Sequence, residues 1–121
     1  MHRIPENFDA SVFVGATLAT VEFGPFKVDL TFEGDPPLWI AVEGAYEHAG
    51  PESEGWADAV RIPVDVSRLM QLTNHAVVDA ARLDDERLRL DFDHGHSLTL
   101  IDDTDQYESF QIEARGRYWV I

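Results

Sequence analysis

Residues 27–34 read KVDLTFEG and residues 87–94 read RLRLDFDH, and these two stretches decide the fold. In the first, Val28, Leu30 and Phe32 alternate with Lys27, Asp29, Thr31 and Glu33. In the second, Leu88, Leu90 and Phe92 alternate with Arg87, Arg89, Asp91 and Asp93. Successive side chains of an extended chain leave opposite faces, so a period of two predicts a half-buried β-strand in each stretch. The shift of 60 residues that relates Leu30 to Leu90 also relates Ala16 to Ala76, Leu18 to Val78, Phe23 to Leu83, Leu38 to Leu98 and Ile40 to Leu100, without a gap. A period of that length indicates a duplicated supersecondary unit, here approximately 13–47 and 73–108.

Working outward, a β-rich run precedes each of these strands, ATLATVEF at 16–23 and AVVDAARL at 76–83. Gly24-Pro25 and Asp84-Asp85 supply the intervening turns. A second turn follows in each copy, Gly34-Asp35-Pro36-Pro37 and His94-Gly95, and then a third strand at 38–43 or 97–101. Each copy therefore reads as a three-stranded antiparallel meander, and pairing the two covers the apolar face that either would expose alone. Residues 44–60 show no period and read as a loop. Pro63 leads into a short predicted helix capped by Asp65, with Val66, Leu69, Met70 and Thr73 on one face and its end near Asn74. The chain closes with a predicted hairpin around Ala114-Arg115-Gly116-Arg117. The expectation is a single, mainly β domain over residues 1–121.

The chain has 121 residues and no cysteine, which excludes disulfides and thiolate chemistry. Its formal net charge is −14, from 23 acidic and 9 basic residues. That balance repels phosphate backbones and anionic lipid, so no nucleic-acid or membrane partner is expected. It favours approach by a basic protein partner. The opening MHRIPENFDA lacks the apolar segment of a signal peptide, and no uninterrupted apolar run is long enough to span a bilayer, so a cytoplasmic location is expected.

The segment LRLDFDHGHSLTLIDDTDQYESFQI, residues 88–112, follows the pattern of strand, glycine turn, strand, acidic residues, then Tyr-Glu-Ser/Ala-aromatic. It resembles small bacterial domains of unknown function of the DUF6188 and polymorphic-toxin immunity type. The likeness is greatest over residues 87–112 and weaker over 13–47, where WIAVEGAYE takes the corresponding place. The resemblance implies an intracellular protein that neutralises a cognate toxin by binding it.

Two constellations invite chemistry. Asp91, Asp93, His94 and His96 combine carboxylate and imidazole, which suit zinc or a non-haem metal and define a metal-assisted hydrolase as the alternative function. Turn chemistry explains His94-Gly95-His96 without a metal, and no further ligand stands at a recognisable spacing, so no metal or other cofactor is expected. Asp102, Asp103 and Asp105 with Glu108 are rich in oxygen but lack the ligand alternation and central glycine of a calcium loop. With Tyr107 beside them, and Trp56 in an acidic loop, they read instead as a partner-binding surface for a basic protein. No nucleophile elbow or phosphate-binding glycine loop is present, so a non-enzymatic binding module is expected. A third possibility is a structural domain that oligomerises through a spare sheet edge.

Overall fold

A computed structural model describes residues 3–34, 36–62, 67–103 and 108–121. It is mainly β, as the sequence predicts. Ten strands run in chain order: β1 (Leu18–Phe23), β2 (Val28–Phe32), β3 (Leu38–Val42), β4 (Ala45–Ala49), β5 (Ala57–Arg61), β6 (Val77–Arg82), β7 (Arg87–Phe92), β8 (Ser97–Ile101), β9 (Phe110–Ala114) and β10 (Arg117–Val120). They form two antiparallel five-stranded sheets, ordered β1-β2-β3-β9-β10 and β5-β4-β8-β7-β6. No helix among the described residues is long and apolar enough to cross a membrane.

Each predicted meander is present, and each sheet also takes in a hairpin from the other half of the chain. The hairpin β4–β5 pairs with β8, while β9–β10 pairs with β3. Only Glu43 and Gly44 separate β3 from β4, so the chain passes directly from one sheet to the other. The backbone N–H groups of both residues donate to the Ser109 carbonyl, which lies on the second crossover, at 2.9 Å each. A Cβ on Gly44 would lie 3.2 Å from Ser109 Cα, so the glycine permits this approach.

The expected inward residues form the core. Val28, Leu30, Phe32, Leu88, Leu90 and Phe92 are all buried and belong to one hydrophobic cluster. Phe13 and Phe32 pack there with ring centroids 5.5 Å apart.

The two meanders pair in corresponding registers, but not at a constant shift. Leu18 and Val77 both begin their pairing opposite the phenylalanine that ends the next strand, Phe32 or Phe92, so they stand 59 residues apart. Val78, the partner assigned by a gap-free shift, is 55% exposed. The extra residue lies in the turn: Gly24 N–H bonds Lys27 O, whereas Leu83 N–H reaches Arg87 O. Ile40 faces Leu30 and Leu98 faces Leu90, giving a shift of 58 for the third strands. Leu38 thus corresponds to His96, whose carbonyl accepts from Phe92 N–H. A shift of two residues preserves the inward face, but a shift of one inverts it.

Two other expectations are revised. Residues 44–60, read as a loop, contain the hairpin β4–β5. Its inward positions are Tyr46, His48, Asp58 and Val60, and alanine fills many of the others, so the alternation is hidden. In place of a short α-helix, Ser67–Leu72 forms a 3-10 helix burying Leu69 and Leu72. These are three residues apart, as the tighter turn requires. The expected cap Asp65, with Pro63 and Val66, lies outside the described residues. The C-terminal hairpin is present, and its turn residues Arg115 and Gly116 have φ of 51° and 76°. Two left-handed residues suit the twist of a two-residue hairpin turn.

Phe92→Ala should lower the stability by about 3–5 kcal/mol, as a large-to-small core change. Val77→Ala should cost about 2 kcal/mol, while Val78→Ala should stay within about 0.5 kcal/mol. Urea denaturation separates the neighbouring valines; equal losses would contradict the assigned register.

Candidate functional site

Four of the five histidines gather at one end of the second sheet. His75 follows the 3-10 helix, where Asn74 takes a left-handed φ of 67°. His94 lies in the β7–β8 turn, which Gly95 closes with a φ of 89° and an N–H bond to Phe92 O. His96 immediately precedes β8, and His48 is the fourth residue of β4.

Asp93 ties the two turns together. Its N–H donates to Ala76 O at 2.9 Å, and its Oδ2 accepts from Ala76 N–H at 3.2 Å. Its Oδ1 lies 2.7 Å from His75 Nδ1, and this bond is the main cause that holds the Asp93 carboxyl below the usual range. His94 Nε2 lies 2.9 Å from Gln71 O. A carbonyl can only accept, so Nε2 carries the proton and, in a neutral ring, Nδ1 carries a lone pair. That Nδ1 is buried without a hydrogen-bond partner and lies 3.8 Å from Asp93 Oδ1.

The imidazoles stack. His75 and His94 have centroids 3.5 Å apart with planes within 3°, and His94 and His96 are 3.9 Å apart within 8°. His96 Nδ1 then meets His48 Nε2 at 3.0 Å, and both residues are buried. One nitrogen of this pair must donate and the other accept, which two protonated rings cannot do. Burial, reinforced by His96, pushes His48 down to about 4. Burial is also the main cause that lowers His94 and His96.

Trp56 covers the inner end, edge-on to His48 at 4.9 Å and to His96 at 5.4 Å. It donates through Nε1 to Glu54 and carries the Arg68 guanidinium 4.3 Å above its ring. Gly50 makes room for it, since a Cβ there would fall 2.3 Å from Trp56 Cε2.

His75, Asp93 and His94 each offer a ligand atom, and these atoms all lie within 4.8 Å of one another. Asp91, the other carboxylate of the hydrolase alternative, pairs with Arg89 at 3.2 Å. His75 and His48 were not among the candidates. His75 lies 18 residues before Asp93, with a whole hairpin between, and His48 belongs to a strand hidden by alanines. A cue was present in the number of histidines, five in 121 residues.

The expected partner-binding residues do not share one environment. Asp102 is fully buried, accepting from Ser109 Oγ at 3.0 Å and from Arg3 at 3.3 Å. Its carboxylate thus anchors the crossover between β8 and β9. Asp103 is exposed and pairs with Arg61, and Glu108 is exposed. Trp56 is half-buried against the histidines. Asp105 and Tyr107 lie outside the described residues.

Comparison of the chain with protein-family models, curated proteins and solved structures finds no match.

The duplication provides a control for the buried pair. His48 faces Leu98 as Ile112 faces Ile40, so His48 and His96 occupy the places of Ile112 and Leu38. Above about pH 6.5 His48 is neutral in both folded and unfolded chains. As pH falls, the unfolded chain takes up a proton first. Stability is therefore lost between about 6.5 and 4, at roughly 1.4 kcal/mol per pH unit at most. Urea midpoints at pH 7.5 and 5 should show this loss in the wild type. The double variant His48→Ile, His96→Leu should lack that part of it and be no less stable at pH 7.5, since both polar partners leave together.

Proposed function

We propose that this chain is a non-enzymatic binding module for a basic protein, acting as an immunity-like antagonist of a basic toxin inside the cell. One observation carries the reading: a half-buried tryptophan and an exposed tyrosine flank a glutamate on the outer face of the first sheet, in a chain of net charge −14. Thr31, Trp39, Glu113 and Tyr118 lie side by side across β2, β3, β9 and β10. Trp39 and Tyr118 stack with centroids 6.3 Å apart, and Tyr118 is 54% exposed. Pro36 and Pro37 border the same face, around a hollow of about 340 Å³. Tyrosine and tryptophan dominate interface hot spots, and a glutamate between them suits a lysine or arginine of the partner.

The exposed acids Asp103 and Glu108 contribute to the field that draws such a partner in. Electrostatic complementarity acts mainly on the association rate, while buried aromatic area acts mainly on dissociation. The resemblance of residues 87–112 to immunity-type domains points the same way.

The test is co-expression with whichever basic, toxin-like protein a neighbouring gene proves to encode, followed by surface-binding kinetics. The chain should restore growth and form a complex whose association slows several-fold between 50 and 300 mM salt. Tyr118→Ala should speed dissociation by tenfold or more, with the variant still folded. Absence of both rescue and complex would reject the immunity reading, and salt-independent association would reject the electrostatic one.

A further inference from the structure

We propose that His75, Asp93 and His94 form a binding site for one divalent transition-metal ion of the zinc class. The proposal is independent of the partner-binding reading. Spacing in the chain conceals the site because its third ligand arrives from the turn before β6, while the other two occupy the β7–β8 turn.

Two of the three donors are already oriented. Gln71 O holds the His94 Nε2 proton, which presents the Nδ1 lone pair toward Asp93. Ala76 N–H holds Asp93 Oδ2, which leaves Oδ1 directed at His75. Partners of this kind on the far atom of a ligand are the usual outer support of a metal site. His94 Nδ1 is buried without a hydrogen bond, so an ion would satisfy an atom that is otherwise unpaired.

The chemistry favours a particular class of ion. Two imidazoles and one carboxylate suit zinc, cobalt and nickel, whereas calcium and magnesium require more oxygen ligands. Zinc bonds of ~2.0–2.1 Å place tetrahedral ligand atoms roughly 3.3 Å apart. The distances of 2.7 Å from His75 to Asp93 and 3.8 Å from His94 to Asp93 bracket that value. The ion would take the place of the proton between His75 Nδ1 and Asp93 Oδ1, and in a neutral ring that proton moves to His75 Nε2.

One rearrangement is required. The His75 and His94 planes are parallel within 3° with ring centroids 3.5 Å apart, and a single ion cannot lie in both. His75 must therefore swing out of the stack, which its 36% exposed side chain permits. Asp93 is 44% exposed, so water can complete the coordination. The bound ion would join the start of β6 to the β7–β8 turn.

The test uses the full chain, free of any affinity tag and stripped with chelator, titrated with zinc chloride at pH 7.5 by calorimetry and thermal denaturation. One ion should bind per chain with a dissociation constant of micromolar order or tighter, raising Tm by several degrees. Millimolar magnesium or calcium should leave Tm unchanged. His75→Gln and His94→Gln should each weaken binding by tenfold or more, whereas His48→Gln should leave it within about twofold. Nitrogen-15 imidazole spectra of the wild type supply a readout that does not depend on how the variants fold. Zinc should shift the His75 and His94 resonances and spare those of His48. No heat or Tm change at 100 µM zinc would overturn the proposal, as would unchanged affinity in both His75→Gln and His94→Gln. Zinc shifts confined to His48 and His96 would overturn it equally.

Discussion

The close approach of Gly44 to Ser109 is the constraint on which the rest of the structure depends. There the two crossovers meet, and two backbone N–H groups converge on one carbonyl. A side chain at position 44 would press on Ser109, and a longer connection would let β4 fold back beside β3. Instead the chain leaves one sheet and enters the other within two residues. The second crossover is held from below by Asp102, whose buried carboxylate accepts from Ser109 and Arg3. A carboxylate removed from water needs such partners, and the arginine supplies both charge and donors.

This exchange makes each sheet a hybrid of the two halves of the chain. Three strands come from one half and two from the other, so neither half completes a sheet alone. The shared core seals the arrangement, since inward residues of both sheets belong to one cluster. The hybrid also creates the histidine cluster. His48 arrives on β4 from the first half, while His75, His94 and His96 come from the second. In the other sheet the places of His48 and His96 hold Ile112 and Leu38, and apolar packing replaces the polar pair. The fold thus tolerates either chemistry there, and the histidines are a departure from the symmetric pattern.

Burial and charge act differently at the two candidate surfaces. At the histidine cluster, burial favours the neutral form of His48, His94 and His96. On the outer face of the first sheet, the half-buried Trp39 and the exposed Tyr118 stand on either side of Glu113. The acidic segment after β8 divides between these roles. Asp102 serves the fold, while Asp103 and Glu108 face solvent.

Sequence alone determined the β class, both meanders, the terminal hairpin and the six inward residues from Val28 to Phe92, because period-two alternation records directly which face is buried. It also set the net charge of −14. Only the tertiary structure decided the register of the first strands, because one additional turn residue inverts the inward face without changing composition. It likewise decided the place of β4–β5, whose alanines and single histidine carry little apolar signal. The metal-ligand set was hidden for a related reason. His75, Asp93 and His94 become neighbours only when β6 and β7 pair, and the pairing of distant segments leaves no spacing for a motif to record.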